Sequence, residues 1–111
     1  MAHWQISPIA AGIRLHRPGA TRFDVLAEAR FPALRKTVLA HEIRKDLWRM
    51  LQSLRGFSPV VEVVDRDGGL CVRVGGQVSS HTWPRENTLT QIQTLLSSPS
   101  KRARWIAHAR L

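Results

Sequence analysis

From Phe31 to Gly56 the chain carries one long amphipathic pattern, and any fold it adopts must cover that pattern's apolar side. Leu39, Ile43, Leu47, Met50, Leu51 and Leu54 recur at the 3.6-residue period, with His41, Glu42, Lys45, Arg49 and Gln52 on the opposite face. Pro32 suits a first helical position, where its missing N–H costs nothing. Gly56 suits the left-handed residue just past a helix end. The spacing therefore predicts one helix bounded by Pro32 and Gly56, with strands and short helices arranged around it.

The flanking segments supply those elements. Gly12–His16 and Arg22–Glu28 alternate apolar and polar residues, and the Pro18-Gly19 step between them reads as the turn of a hairpin. Arg14, His16 and Arg22 then share its polar side, and Trp4-Gln5-Ile6 adds a short edge piece closed off by Ser7-Pro8. Val60–Val64 and Leu70–Val74 form a clearer hairpin around Asp67-Gly68-Gly69, residues that tolerate the positive φ of tight turns. Leu70, Val72 and Val74 face the core, leaving Cys71 and Arg73 on the other side. Gly75-Gly76 suggests a bulge or a close backbone approach. After Trp83-Pro84, Thr88-Leu89-Thr90-Gln91 has capping-box spacing. Ser98-Pro99 then caps and opens a last helix running to about Arg110. The expected architecture is a two-layer α+β sandwich. A mostly antiparallel sheet of about four strands lies on one long helix, with two short C-terminal helices, all in a single domain over residues 1–111.

No apolar run approaches the roughly 20 residues that span a bilayer, so no membrane partner is expected. The N-terminus lacks the basic-then-apolar layout of a secretory signal, and the single Cys71 forbids an internal disulfide. A soluble, reduced, cytoplasmic setting is the expectation. The net charge of +9 is unevenly placed: residues 1–56 carry +6, residues 57–97 carry −1 and residues 98–111 carry +4. That balance favours acidic partners, nucleic acid first. Arginine supplies most of the excess, which codon usage in a GC-rich genome would also produce.

Lys101, Arg104, Trp105 and His108 fall at i, i+3, i+4 and i+7 on one helix face, with Arg102 on the flank. Cations beside an indole suit a phosphate backbone and a stacked base, whereas a terminal-helix Trp also serves as an anchor to the core. Arg35, Lys45 and Arg49 extend the candidate surface onto the long helix. The Ser98–Arg102 run has the flavour of a basic Ser-Pro minor-groove element, but capping accounts for it.

Signals for catalysis are sparse. His41-Glu42 opens like a zinc-protease motif, yet Lys45 stands where the second His must be. The five histidines have no metal-ligand spacing, and neither glycine pair leads from strand into helix as a phosphate-cradling loop does. Cys71 with His81 and Asp65 or Asp67 makes the one conceivable nucleophilic set. Glu42 and Asp46 are expected to pair with Lys45 and Arg49 instead of acting as paired acids. No cofactor or metal is expected. The leading expectation is a small, basic, non-enzymatic module making sequence-independent phosphate contacts to nucleic acid. The alternative is an adaptor or assembly subunit, of phage or mobile-element type, whose Arg and Trp residues meet an acidic protein.

Overall fold

The computed structural model describes residues 3–111. Strands β1 (Gln5–Ile9), β2 (Gly12–His16), β3 (Val25–Phe31), β4 (Phe57–Arg66) and β5 (Gly69–Val78) form one antiparallel sheet in the order β1-β2-β4-β5-β3. Helices α1 (Lys36–Leu51), α2 (Arg85–Ser97) and α3 (Pro99–Ala109) complete an α+β fold. The long helix and the two short C-terminal helices are as expected; the sheet has a fifth strand.

Strand register explains why one face of the sheet is greasy and the other charged. Leu15, Val61, Val74 and Ala27 are successive cross-strand partners on β2, β4, β5 and β3, and all four are buried in the main hydrophobic core. One residue along, Arg14, Glu62, Arg73 and Glu28 form the matching row on the reverse face. There Arg14 Nε donates to Glu62 Oε2 at 2.8 Å, and Arg73 lies 3.3 Å from Glu62 and 3.5 Å from Glu28. Opposite charges facing each other across strands stabilise the pairing and close off the exposed face. Against the apolar face, α1 contacts β4 and β2, α2 contacts β3, and α3 packs on α1. Leu39, Ala40, Ile43, Leu47 and Leu51 are the buried side of α1, as the periodicity requires.

Four local expectations are corrected. Phe31 is not helical: it ends β3 opposite Leu70, so Pro32 lies in a loop and α1 begins only at Lys36. Gly56 does take a positive φ of 76°, but α1 stops at Leu51 and Gly56 instead turns the chain into β4. The Pro18-Gly19 turn forms, closed by Ala20 N–H donating to Arg17 O at 3.1 Å, yet it does not join paired strands. The chain crosses to the far edge of the sheet, where β3 pairs with β5, and Arg22 precedes that strand. The hairpin partner of β2 is β1, through a two-residue Ala10-Ala11 turn in which Ala11 has φ 64°. Nothing in an Ala-Ala pair advertises a turn. Finally, Thr88 does not cap α2. The helix starts at Arg85, and the buried Thr88 hydroxyl donates back to Pro84 O at 2.7 Å.

Two sequence readings match closely. Asp67 and Gly68 have φ of 50° and 81°, the pattern of a tight primed hairpin turn between β4 and β5. Gly75 and Gly76 mark close approach: a Cβ at either would collide with the carbonyl of Val25 or Ser58.

Candidate nucleic-acid interface

The C-terminal helix is a closed ionic seam. Ser98 caps it, accepting from Lys101 N–H at 3.4 Å, and Pro99 takes its first turn. Trp105 is fully buried, and its indole N–H donates to Asp46 Oδ2 at 2.7 Å. It therefore has no face for a base; it is the core anchor. Arg104 donates to the same Asp46 oxygen, and His108 Nδ1 lies 2.7 Å from Glu42 Oε1. Arg102 donates to Leu96 O at 3.1 Å and Arg30 O at 2.7 Å, its guanidinium lying 4.0 Å over the Phe31 ring. Lys101 is half-exposed with no carboxylate partner among the described residues. Most of the cations expected on this face are thus committed within the chain.

The long helix behaves differently. Glu42 and Asp46 are mostly buried because they turn toward α3. Lys45 and Arg49 do pair with them, at 3.2 and 3.7 Å, but remain largely exposed. Burial raises the Glu42 pKa, and hydrogen bonds from His108 and Lys45 outweigh it, leaving the carboxyl below its ordinary range. Arg35 precedes the helix, exposed, its main-chain N–H donating to Ala109 O at 2.8 Å.

A second cluster, outside the expected set, lies where the end of β2 meets α1. The register pairing Gln5 with His16 continues to bring Trp4 near Arg17. One turn apart on α1 stand Arg44 and Trp48. The Arg17 guanidinium lies 4.6 Å from the Trp48 ring centroid and 5.0 Å from that of Trp4, while Arg44 lies 4.6 Å from Trp4. Cations at these distances are held by the ring quadrupole. His16, buried, fixes the base of this arrangement: its Nδ1 is 2.7 Å from Arg17 O and its Nε2 2.8 Å from Ser7 Oγ. A carbonyl only accepts, so Nδ1 carries a proton and donates to it.

Among the described residues neither Arg17 nor Arg44 has a carboxylate partner, and every acid except Glu86 already holds another cation. Burial, then the neighbouring Arg17 charge, lowers the Arg44 pKa. His41, whose Nδ1 is 3.3 Å from Arg44 Nη2, is likewise lowered by burial and by Arg44 and Lys45. Among the described residues the corner is a basic, aromatic patch whose two arginines have no carboxylate counterion.

The chain matches no protein-family model, no curated protein and no solved structure.

The nucleophilic set considered from sequence is not assembled. Cys71 is buried near the β4–β5 turn, whereas His81 follows Val78 at the other end of β5, about 24 Å of extended strand away. The cleft beside the C-terminal end of α1, lined by Leu54, Arg55, Ser80, Trp83, Asn87 and Gln91, contains neither Cys71 nor His81. Among the described residues no three His, Cys, Asp or Glu side chains cluster as metal ligands, and no helix is long and apolar enough to cross a membrane.

Proposed function

We propose that this protein binds nucleic acid through sequence-independent phosphate contacts, centred on the outer side of α1 and the adjoining Trp4–Arg17 corner. The observation that carries the reading is the division of charge on α1. Its acids, Glu42 and Asp46, are engaged by α3 and by the largely exposed Lys45 and Arg49, while Arg44 stands partly exposed at Trp4 with Arg17, neither having a carboxylate partner among the described residues. Phosphates neutralised by such cations release condensed counterions, so affinity has a steep salt dependence. With guanidiniums over their rings, Trp4 and Trp48 act as supports for cations more than as platforms for bases.

Fluorescence anisotropy of labelled generic single- and double-stranded DNA and RNA across a salt series tests this. Micromolar binding that weakens steeply with salt is expected. Absence of binding at low salt sinks the proposal. The competing reading, an acidic protein seated on the same arginines and tryptophans, rests on the enrichment of those residues at interface hot spots. It expects one defined partner in capture experiments and no oligonucleotide binding.

A further inference from the structure

We propose that Arg17 and Arg44 clasp a single phosphate group between them, with Trp4 and Trp48 holding the two guanidiniums in place for it. This deepens the nucleic-acid reading and rests on it for the source of the phosphate.

The case begins with donors. A guanidinium carries five N–H groups around its edge. Held near an indole through its carbon atom, it can still donate from its terminal Nη groups. Arg17 donates none of these groups to any residue described, and Arg44 donates one, to His41. The Nε of each is covered from solvent and has no acceptor among the described residues. A covered Nε is out of an anion's reach, which leaves the terminal Nη groups to bind it. A tetrahedral oxyanion matches the planar fork of arginine, which makes two parallel bonds to it.

The second strand of the case is repulsion. Two positive groups meet at Trp4. Glu42 is the one acid that acts on Arg44 appreciably, and it is engaged by Lys45 and His108. Met1 and Ala2, the two residues preceding the described chain, bring no carboxylate side chain. An anion shared by both guanidiniums converts the unfavourable pair into a bridge. The remaining cations without carboxylates do not make such a pair. Arg102 and Arg85 donate to main-chain carbonyls, and Arg66 reaches Cys71 Sγ.

Thermal unfolding of the full chain in sodium chloride, with and without 10 mM inorganic phosphate at matched ionic strength, tests the clasp. Phosphate is expected to raise Tm in the wild type, with Arg17→Gln and Arg44→Gln each abolishing the shift and Arg110→Gln retaining it. Arg17→Lys separates charge from shape: it keeps the cation but loses the stacked fork, and is expected to lose the phosphate shift. Far-UV circular dichroism in chloride confirms that each variant folds. A parallel titration compares an oligonucleotide bearing a 5′-phosphate with the same strand lacking it. Tighter binding of the phosphorylated strand by threefold or more, lost in Arg44→Gln, assigns the clasp to a terminal phosphomonoester. Equal binding of both, weakened in Arg44→Gln, assigns it to an internal phosphodiester. No phosphate shift in the wild type, or one surviving both glutamine substitutions, overturns the clasp even if nucleic acid binds elsewhere. An Arg17- and Arg44-dependent phosphate shift without oligonucleotide binding keeps the clasp and removes the nucleic-acid reading.

Discussion

The α1–α3 seam and the Trp4–Arg17 corner hold the same kinds of residue, arginine, histidine and tryptophan, and use them in opposite ways. In the seam both carboxylates are answered: Asp46 accepts from Trp105 and Arg104, and Glu42 from His108 and Lys45. In the corner the guanidiniums of Arg17 and Arg44 meet indole rings and, for Arg44, the His41 imidazole, with no carboxylate partner among the described residues. A tryptophan with arginines at helical spacing therefore describes a structural anchor in one place and an open cationic surface in the other. What separates them is whether a carboxylate from another element reaches the site, a property of the tertiary fold.

Several substitutions break or sharpen that contrast. Trp105→Ala removes the seam's anchor and is expected to cost about 3–5 kcal/mol, the range for a buried aromatic, measured by urea unfolding. Asp46→Asn keeps the volume but withdraws the charge that serves Arg104 and Trp105. A loss of about 2–3 kcal/mol is expected, in line with hydrogen bonds to charged groups, with nucleic-acid affinity unchanged in the folded protein. Arg44→Gln reverses the pattern: stability falls by only about 1 kcal/mol, as for a half-buried cation–π contact, while low-salt affinity falls several-fold.

The seam also has a pH signature. The Glu42 carboxyl titrates below its ordinary 4.5, so its contribution is fully present above that value and is lost as pH falls through the lowered one. Asp24, held down by Arg22 and the Val78 N–H, acts in the same direction below its ordinary 3.8. A Tm profile of Glu42→Gln should accordingly lie below wild type at pH 7 and approach it at pH 3. Smallest is Ala11→Gly. Relieving a positive φ on alanine in the β1–β2 turn, which carries Trp4 toward Arg17, should stabilise by about 0.5 kcal/mol, net of the glycine's greater unfolded-state entropy.

Much of the fold was legible because its signals are local. The apolar stripe of α1, the Asp67-Gly68 turn, the Gly75-Gly76 approach and the Ser98-Pro99 start are set by neighbours in sequence. The β1–β2 hairpin was not legible, because an Ala-Ala turn carries no signal and the Pro-Gly turn nearby drew the pairing to the wrong strands. That one misassignment hides the corner, since only the β1–β2 register brings Trp4 to Arg17. The i, i+4 spacing of Arg44 and Trp48 was visible, but on its own it describes any solvated helix face. The seam hid for a related reason: Glu42 and Asp46 read as partners of Lys45 and Arg49, and nothing in their spacing reveals that α3 will lie against them.

The most direct test of the corner is the slope of log affinity against log salt for a generic single-stranded oligonucleotide, compared between wild type and the Arg17→Gln/Arg44→Gln double variant. Removing the one phosphate contact that the two guanidiniums share should make the slope shallower by about 0.7 on single strands, with Arg110→Gln unchanged. An identical slope in wild type and double variant, at equal affinity, would contradict the assignment of this corner to phosphate.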